Sequence, residues 1–325
     1  MNDNVASRRL ERLFRVKDPV SGEYFWISGS GKGGPLITFP QPADISAYYP
    51  QDYYSFKTGI ATIFEESRKP AKRLINFLRK KILEEFYDYF KTGEKSSLFW
   101  KPALFPLKSM MLKFPSRIYP ESKLLDVGCG TGGYIWNLKE LGWNACGVEI
   151  NEKTALQLRR KGMEVFAGDF ERLDFPESEY DVVTFWHTLE HLRSPLESLK
   201  KAHRILKPDG MVMIEVPNVA SLERKIFGRN WALWDVPRHL YHFSPQSLVK
   251  LLSESGFRKT MVSYPLDLYD FPRSIQNVMP WQKPRILLNP KRMRWTTKYL
   301  LFPLAVFLSA TKKSNKLLVI AEKGT

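Results

Sequence analysis

Leu124-Leu125-Asp126-Val127-Gly128-Cys129-Gly130-Thr131-Gly132-Gly133 reads as a buried strand that ends in a glycine turn and opens a helix. Glycines at 128, 130 and 132 allow positive backbone dihedrals and close approach of the backbone to a ligand. A helix beginning near Tyr134 then aims its positive end at whatever the turn holds. Such a turn is a nucleotide-cofactor cradle. A dinucleotide fingerprint needs G-x-G-x-x-G, whereas this turn has G-x-G-x-G with an acid, Asp126, two residues before the first glycine, which disfavours NAD.

The downstream segments follow in the order of a doubly wound α/β sheet. A helix over Ile135 to Leu141 leads to a second apolar strand, Ala145 to Val148, ending in Glu149. A carboxylate at that strand end can accept both hydroxyls of a ribose. Next come a helix through Ala155, Leu156 and Leu158, a strand from Met163 to Ala167, and then Gly168-Asp169-Phe170. A fourth strand, Tyr180 to Trp186, ends in His187-Thr188-Leu189-Glu190-His191, and Ile205-Leu206-Lys207-Pro208-Asp209-Gly210 leads into a fifth, Met211 to Val216.

LLDVGCGTG resembles motif I of the class I S-adenosylmethionine-dependent methyltransferases, and the ordered acids that follow strengthen the resemblance. It implies a Rossmann-like seven-stranded sheet in the order 3-2-1-4-5-7-6 with the last strand antiparallel, here Phe257 to Tyr264 as the sixth strand and Lys316 to Glu322 as the seventh. It also implies S-adenosyl-L-methionine as cofactor, held by Asp126, Gly128, Cys129, Gly130, Gly132, Glu149, Ile150, Asp169, Phe170 and His187. In that family the acid at 169 faces the adenine amino group and its neighbour packs on the ring; a loop cap for Asp169 and a core position for Phe170 are the plainer alternatives.

All five histidines, at 187, 191, 203, 239 and 242, lie in the second half of this core. An oxygen or nitrogen acceptor must lose a proton on methylation and gains from a nearby imidazole, so His191 and His239 are candidate general bases. Glu190 beside His191 resembles the Glu-His pair of ubiquinone-biosynthesis O-methyltransferases. Packing, capping and metal ligation compete for His191, and the reading adopted contains no metal site.

Tyr24-Phe25-Trp26-Ile27 and Leu36-Ile37-Thr38-Phe39 form an expected hairpin across a glycine-rich turn, followed by a Tyr-rich stretch at Tyr48, Tyr49, Tyr53 and Tyr54. The order resembles a bacterial methyltransferase branch with a small zinc-ribbon-like module before a Tyr-rich linker, but this chain lacks the module's cysteines. The shape is expected without the metal. Asn230 to Ser244 resembles the substrate-side loop of the same branch, with Pro245 to Gly256 as a helix after it. The expected organisation is a small β and Tyr-rich module over 1–60, a basic helical linker over 61–117, and a methyltransferase domain over 118–325 with a helical insertion at 265–315.

Charge divides unevenly along the 325 residues: net +8 before Glu121, zero from Glu121 to Thr260, and +8 beyond. A basic stripe at the catalytic mouth would suit RNA, whereas basic flanks rich in apolar residues suit an anionic membrane surface better. Leu74, Ile75, Leu78, Ile82, Phe86 and Phe90 recur at helical spacing among Lys72, Arg73, Arg79, Lys80 and Lys81. Near the other end Lys291, Arg292, Arg294 and Lys298 precede an apolar run, Tyr299 to Leu308, too short for the roughly 20 residues that span a bilayer. Packed helices with solvated basic faces are the alternative. Both cysteines, 129 and 146, fall on cofactor strands and fit a reducing compartment. The polar start MNDNVASRRLERLFRV carries no secretory signal, so a cytoplasmic protein is expected, with a peripheral place on the inner face of the membrane as the variant.

The expected activity is methyl transfer from S-adenosylmethionine to an oxygen of a glycan, sugar nucleotide or lipid-linked small molecule. RNA or protein methylation, and a catalytically silent cofactor-binding scaffold, are the alternatives; the oligomeric state stays open.

Overall fold

A computed structural model describes residues 11–49, 70–89, 100–108, 113–116, 122–266, 270–278 and 302–324. Tyr53, Tyr54 and the basic run from Lys291 to Lys298 lie outside them.

The apolar runs read from the sequence are strands β4 (Lys123–Val127), β5 (Asn144–Glu149), β6 (Glu164–Ala167), β7 (Tyr180–Trp186), β8 (Leu206–Pro217), β10 (Arg258–Ser263) and β11 (Lys316–Glu322). They form one seven-stranded mixed sheet, ordered β10-β11-β8-β7-β4-β5-β6. Counting only these strands, that is the order 3-2-1-4-5-7-6 read from its other edge. The pairs of β4 with β5 and with β7, and of β5 with β6, are parallel. Leu124, Leu125, Val182, Val183, Phe185, Val212 and Ile214 are buried on this sheet. Near-continuous apolar runs are what a sheet covered on both faces demands. The fifth strand begins at Leu206, five residues earlier than the sequence indicated, and takes in the Lys-Pro-Asp-Gly stretch although Asp209 holds a positive φ of 61°.

The hairpin also forms, with β2 (Tyr24–Gly29) antiparallel to β3 (Leu36–Phe39). Two strands join it that the sequence reading missed. β1 (Glu11–Lys17) pairs with β2, and β9 (Tyr241–His242) pairs with β3, giving a four-stranded sheet ordered β1-β2-β3-β9. β1 escaped notice because its charged residues lie outward and mask the alternation: Val16 is its one buried residue. Helix α1 (Pro70–Tyr87) is buried at Ile82, Leu83 and Tyr87, and α2 (Trp100–Lys108) at Leu104.

By backbone contacts the chain divides into two units, one of residues 1–51, 187–199 and 214–320, the other of 52–186, 200–213 and 321–325. In the first, Val16, Phe25 and Ile27 from the small sheet pack with Trp231, Leu233, Trp234 and Val236. Arg238, 2% exposed, ties the same unit together electrostatically. Its guanidinium reaches Asp18 Oδ1 at 3.1 Å, Asp235 Oδ1 at 2.8 Å and the Tyr48 carbonyl at 2.8 Å. Asp18 is itself buried and also accepts the amides of Val20 and Ser21.

Removing one partner from a buried ion pair leaves the other charge stranded, at a cost of about 3–5 kcal/mol. Arg238→Ala should lower the unfolding free energy by about that amount in urea titrations followed by tryptophan fluorescence. A loss below about 1 kcal/mol would mean that Asp18 finds water when the guanidinium is gone.

Candidate functional site

The glycine turn is fastened to β5 from below. The amides of Gly128 and Cys129 both donate to the Val148 carbonyl at 2.9 Å, and Gly132 donates to Cys129. Gly128, Gly130 and Gly132 all take positive φ, and at Gly132 a Cβ would meet Met163 Sδ at 2.8 Å and Leu158 at 2.9 Å, so only glycine fits. Helix α3 (Gly133–Glu140) starts immediately after, as expected.

Glu149 closes the cradle. It is 6% exposed; its Oε2 accepts the Gly130 amide and its Oε1 the Asn151 amide, each at 2.9 Å. Burial pushes its pKa up, and the amides of Asn151 and Gly130 hold the rise back. Each oxygen keeps a second lone pair for another donor. Ile150, the next residue, leaves 72% of its surface exposed. Asp126 lies across from Thr184 of β7, whose hydroxyl donates to it at 2.7 Å; burial pushes this carboxyl up to about 7 against that bond.

The remaining predicted contacts divide. Asp169 caps its own loop by accepting the Glu171 amide at 3.0 Å, yet its side chain stays 32% exposed. Phe170 is core: it is 2% exposed, lies edge-on to Phe185 and tilted to Phe175, and carries the Lys201 ammonium 4.9 Å from its ring. Its ring is thus packed into the core, while Ile150 next to Glu149 is exposed. Cys129 is buried, where desolvation pushes its thiol up, and it serves the turn through its backbone amide and carbonyl.

Four of the five histidines, 187, 191, 239 and 242, belong to the other unit. His187 holds a positive φ of 52°, and its amide donates to the Glu215 carbonyl at 2.9 Å. Its ring lies between two carboxylates, with Nδ1 3.3 Å from Glu190 and Nε2 3.0 Å from Glu215. Carboxylate oxygens only accept, so both ring nitrogens donate. Burial alone would lower this imidazole's pKa, and the two glutamates outweigh it and raise it. Glu190 has no solvent exposure, and burial would raise its pKa, but His187 holds it below the ordinary value. Its Oε1 takes the His187 contact, and its Oε2 is buried with no hydrogen-bond partner.

His191 and His239 stand beside it with ring centres 4.8 Å apart, edge to face. His191 Nδ1 donates to the Arg238 carbonyl at 2.9 Å and His239 Nδ1 to the Leu233 carbonyl at 2.9 Å. Nε2 is the remaining ring nitrogen of each, and that of His239 lies 3.8 Å from Asp235 Oδ2. Burial and the neighbouring His191 lower the His239 pKa to about 4, which keeps it neutral. His242 has a different task. Thr38 gives its hydroxyl proton to the His239 carbonyl at 2.6 Å, so His242 Nε2 must donate to Thr38 at 2.9 Å.

The structure thus unites His187, Glu190, His191 and His239 in one unit and Asp126, the glycines, Glu149 and Ile150 in the other. Sequence reading missed Thr38, Tyr49, Glu215 and His242 as partners. Glu215 alone left a trace, as a single charge inside the apolar run Met211 to Val216.

A family model described as a methyltransferase domain matches residues 71–262, more than half of the chain. The chain is 28% identical over 150 residues to the ubiquinone biosynthesis O-methyltransferase of Thiobacillus denitrificans, a match covering 41% of this chain and 63% of that protein. It is 30% identical over 126 residues to the demethylmenaquinone methyltransferase of Lysinibacillus sphaericus, covering 34% and 53%. The chain thus spans less than two thirds of the length of either relative. A crystal structure of a SAM-dependent methyltransferase from Archaeoglobus fulgidus aligns with a TM-score of 0.47 at 21% identity, over 68% of this chain and 94% of that one. With the glycine turn, the acid closing it and the sheet order already in place, the match over residues 71–262 settles the family: the chain belongs to the methyltransferase domain family, in its class I S-adenosylmethionine-dependent form.

Proposed function

We propose that this protein transfers the methyl group of S-adenosylmethionine to an oxygen of a small acceptor, with a lipid-linked molecule as the favoured class over a glycan or sugar nucleotide. One observation carries the oxygen: the buried cluster of Glu190, His191 and His239 offers two imidazole lone pairs and a carboxylate, groups suited to a hydroxyl that must lose its proton. The names of the relatives in ubiquinone and demethylmenaquinone methylation support a membrane-soluble acceptor.

The cradle suits the cofactor. Glu149 has lone pairs for ribose hydroxyls, and Ile150 offers apolar surface next to it for an adenine ring. Asp169, 32% exposed, has Oδ2 3.7 Å from the exposed Arg172 and can offer that oxygen to an amino group. When bound, the sulfonium supplies an activated methyl group. The chain's own residues orient it and hold the acceptor hydroxyl where its proton can leave.

Calorimetry should show S-adenosylmethionine and its demethylated product binding. Glu149→Ala should weaken both about tenfold or more, since a hydrogen bond to a charged group contributes about 1.5–3 kcal/mol. Tighter binding of NAD than of the sulfonium would sink the assignment, and cofactor binding without transfer to any hydroxylated acceptor would favour the silent scaffold.

We also propose that the basic flanks meet an anionic membrane. On α1, Leu74, Ile75 and Phe77 are exposed at 58%, 39% and 45%, beside the exposed Arg73 and Lys80; on α2, Phe105 is 67% exposed and Lys101 is exposed. Near the other end, helix α9 (Phe302–Ala310) buries Ala305 and Leu308 and exposes Phe307, with Lys312 and Lys313 exposed after it. Among the described residues no helix is long and apolar enough to cross a membrane. A basic residue near such a surface contributes about 1 kcal/mol. The protein should float with phosphatidylglycerol vesicles at low salt and be released by high salt. Protein left wholly in the unbound fraction at low salt would return these helices to the reading of packed elements with solvated basic faces, and salt-dependent binding to polynucleotide alone would favour RNA.

A further inference from the structure

From the arrangement of Glu190, His191 and His239 we infer a binding site for one divalent transition-metal ion. Each residue offers one ligand atom, and the three atoms lie within 4.8 Å of one another. Two imidazoles and one carboxylate on one face of an ion form the set that binds zinc, iron(II), manganese or cobalt and leaves further positions open. It does not suit calcium, which takes six to eight oxygens.

Three independent features of the side chains agree with this. The Nδ1–H of His191 and of His239 each donate to a backbone carbonyl, those of Arg238 and Leu233. That is the outer-shell contact that fixes the ring of a metal-binding histidine and leaves Nε2 for the ion. Glu190 is anchored by one oxygen only: Oε1 meets His187, while Oε2, fully buried, has no hydrogen-bond partner. A buried carboxylate oxygen without a partner is costly, and a cation beside it removes the cost. The frame is also braced from outside the set, because Glu215 holds the far side of His187, and Thr38, which bonds the His239 carbonyl, fixes the backbone at 239. Ligand bonds of about 2.0–2.2 Å require the three donors to draw closer than they stand, a shift that side-chain torsions of Glu190 and His191 can supply.

Resting on the oxygen-methylation reading, the role of such an ion would be to take the acceptor's oxygen in an open position and make its proton easier to lose. The proton passes to water, the oxygen's electron pair forms the new O–CH3 bond, and the S–CH3 pair leaves with sulfur as a neutral thioether. The two imidazoles are then ligands, and neither is the base.

The test starts with the full chain stripped by chelator and dialysed. Titration with cobalt(II) should give a visible d–d absorption band saturating at one ion per chain, and zinc(II) or manganese(II) should compete for the same site. Glu190→Gln, which keeps an acceptor for His187, and His191→Ala should each weaken cobalt binding about 100-fold or more, beyond the 10- to 100-fold that loss of an outer-shell partner costs. Affinity for S-adenosylmethionine should stay unchanged in both. Circular dichroism confirms that the variants fold; if His191→Ala does not, Glu190→Gln alone decides. No cobalt or zinc uptake at millimolar ion, or uptake that ignores both substitutions, overturns the site. Because binding is read without turnover, a chain that takes the metal and methylates nothing defeats the oxygen-methylation reading while leaving the metal site standing.

Discussion

A carboxylate with no access to water must be paired, and in this protein that constraint falls on Glu190. Ionised and fully buried, it is kept so by His187, whose ring is in turn held by Glu215. Its backbone carbonyl accepts the amide of Leu240, which fastens the segment after β7 to the loop carrying His239. The geometry at 187–191 follows. His187 takes a positive φ because its amide and both ring nitrogens have to be satisfied at once by Glu190 and Glu215, and strain of about 1–3 kcal/mol persists only where the surroundings over-determine it. Loss of the Glu190 charge would leave His187 with one carboxylate, while the backbone carbonyl of residue 190 would still hold the Leu240 amide.

The same rule explains the cradle by other means. Glu149 is nearly as buried, but backbone amides face it, those of Asn151, Gly130 and Ile150, and Gly130 lies within the turn. The carboxylate therefore shapes the loop before it serves any ligand. Asp126 takes a third course: with a hydroxyl as partner, burial raises its pKa to about 7. Three buried acids, satisfied by an imidazolium, by amides and by partial neutralisation, divide the work of fixing the loops at the ends of β4, β5 and β7.

What was legible in the sequence is what periodicity and glycine spacing encode. The turn after β4 and the ends of β5 and β7 in Glu149 and Trp186 follow from apolar runs of strand length separated by helical ones, whereas the seventh strand at Lys316–Glu322 and the sheet order are what the resemblance to class I methyltransferases implies. The misses share a cause, because in each a residue's partner lies far away in the chain. Phe170 follows an acid just as a ring-stacking residue does, but Phe175, Phe185 and Lys201 claim it for the core. β1 shows a single buried residue, and β9 is only two residues long, too brief for any alternation to register. Tautomers are invisible to sequence in principle: His191, His239 and His242 are one residue type in two roles, assigned by the carbonyls of Arg238 and Leu233 for the first two and by the hydroxyl of Thr38 for the third.

The pairing of β3 with β9 shows why the hairpin bears on the histidines at all. Leu36 faces His242 and Ile37 faces Tyr241 in register, and the next residue on β3, Thr38, bonds both the His239 carbonyl and the His242 ring. Tyr49, just beyond that hairpin, reaches His191 Nδ1 at 3.3 Å, and Asp18, from the turn between β1 and β2, reaches Arg238. Every one of these contacts spans more than 140 residues. Closing such long loops costs entropy before any contact repays it, but the cost rises only as the logarithm of loop length, so several contacts closed together share much of it. A small sheet that seems an appendage in the sequence is thus the wall against which residues 187–191 and 235–242 are set. The precision of the Glu190, His191 and His239 group rests on the register of β3 against β9, since a slip of one residue would turn Thr38 to the other face and release two of the three histidines.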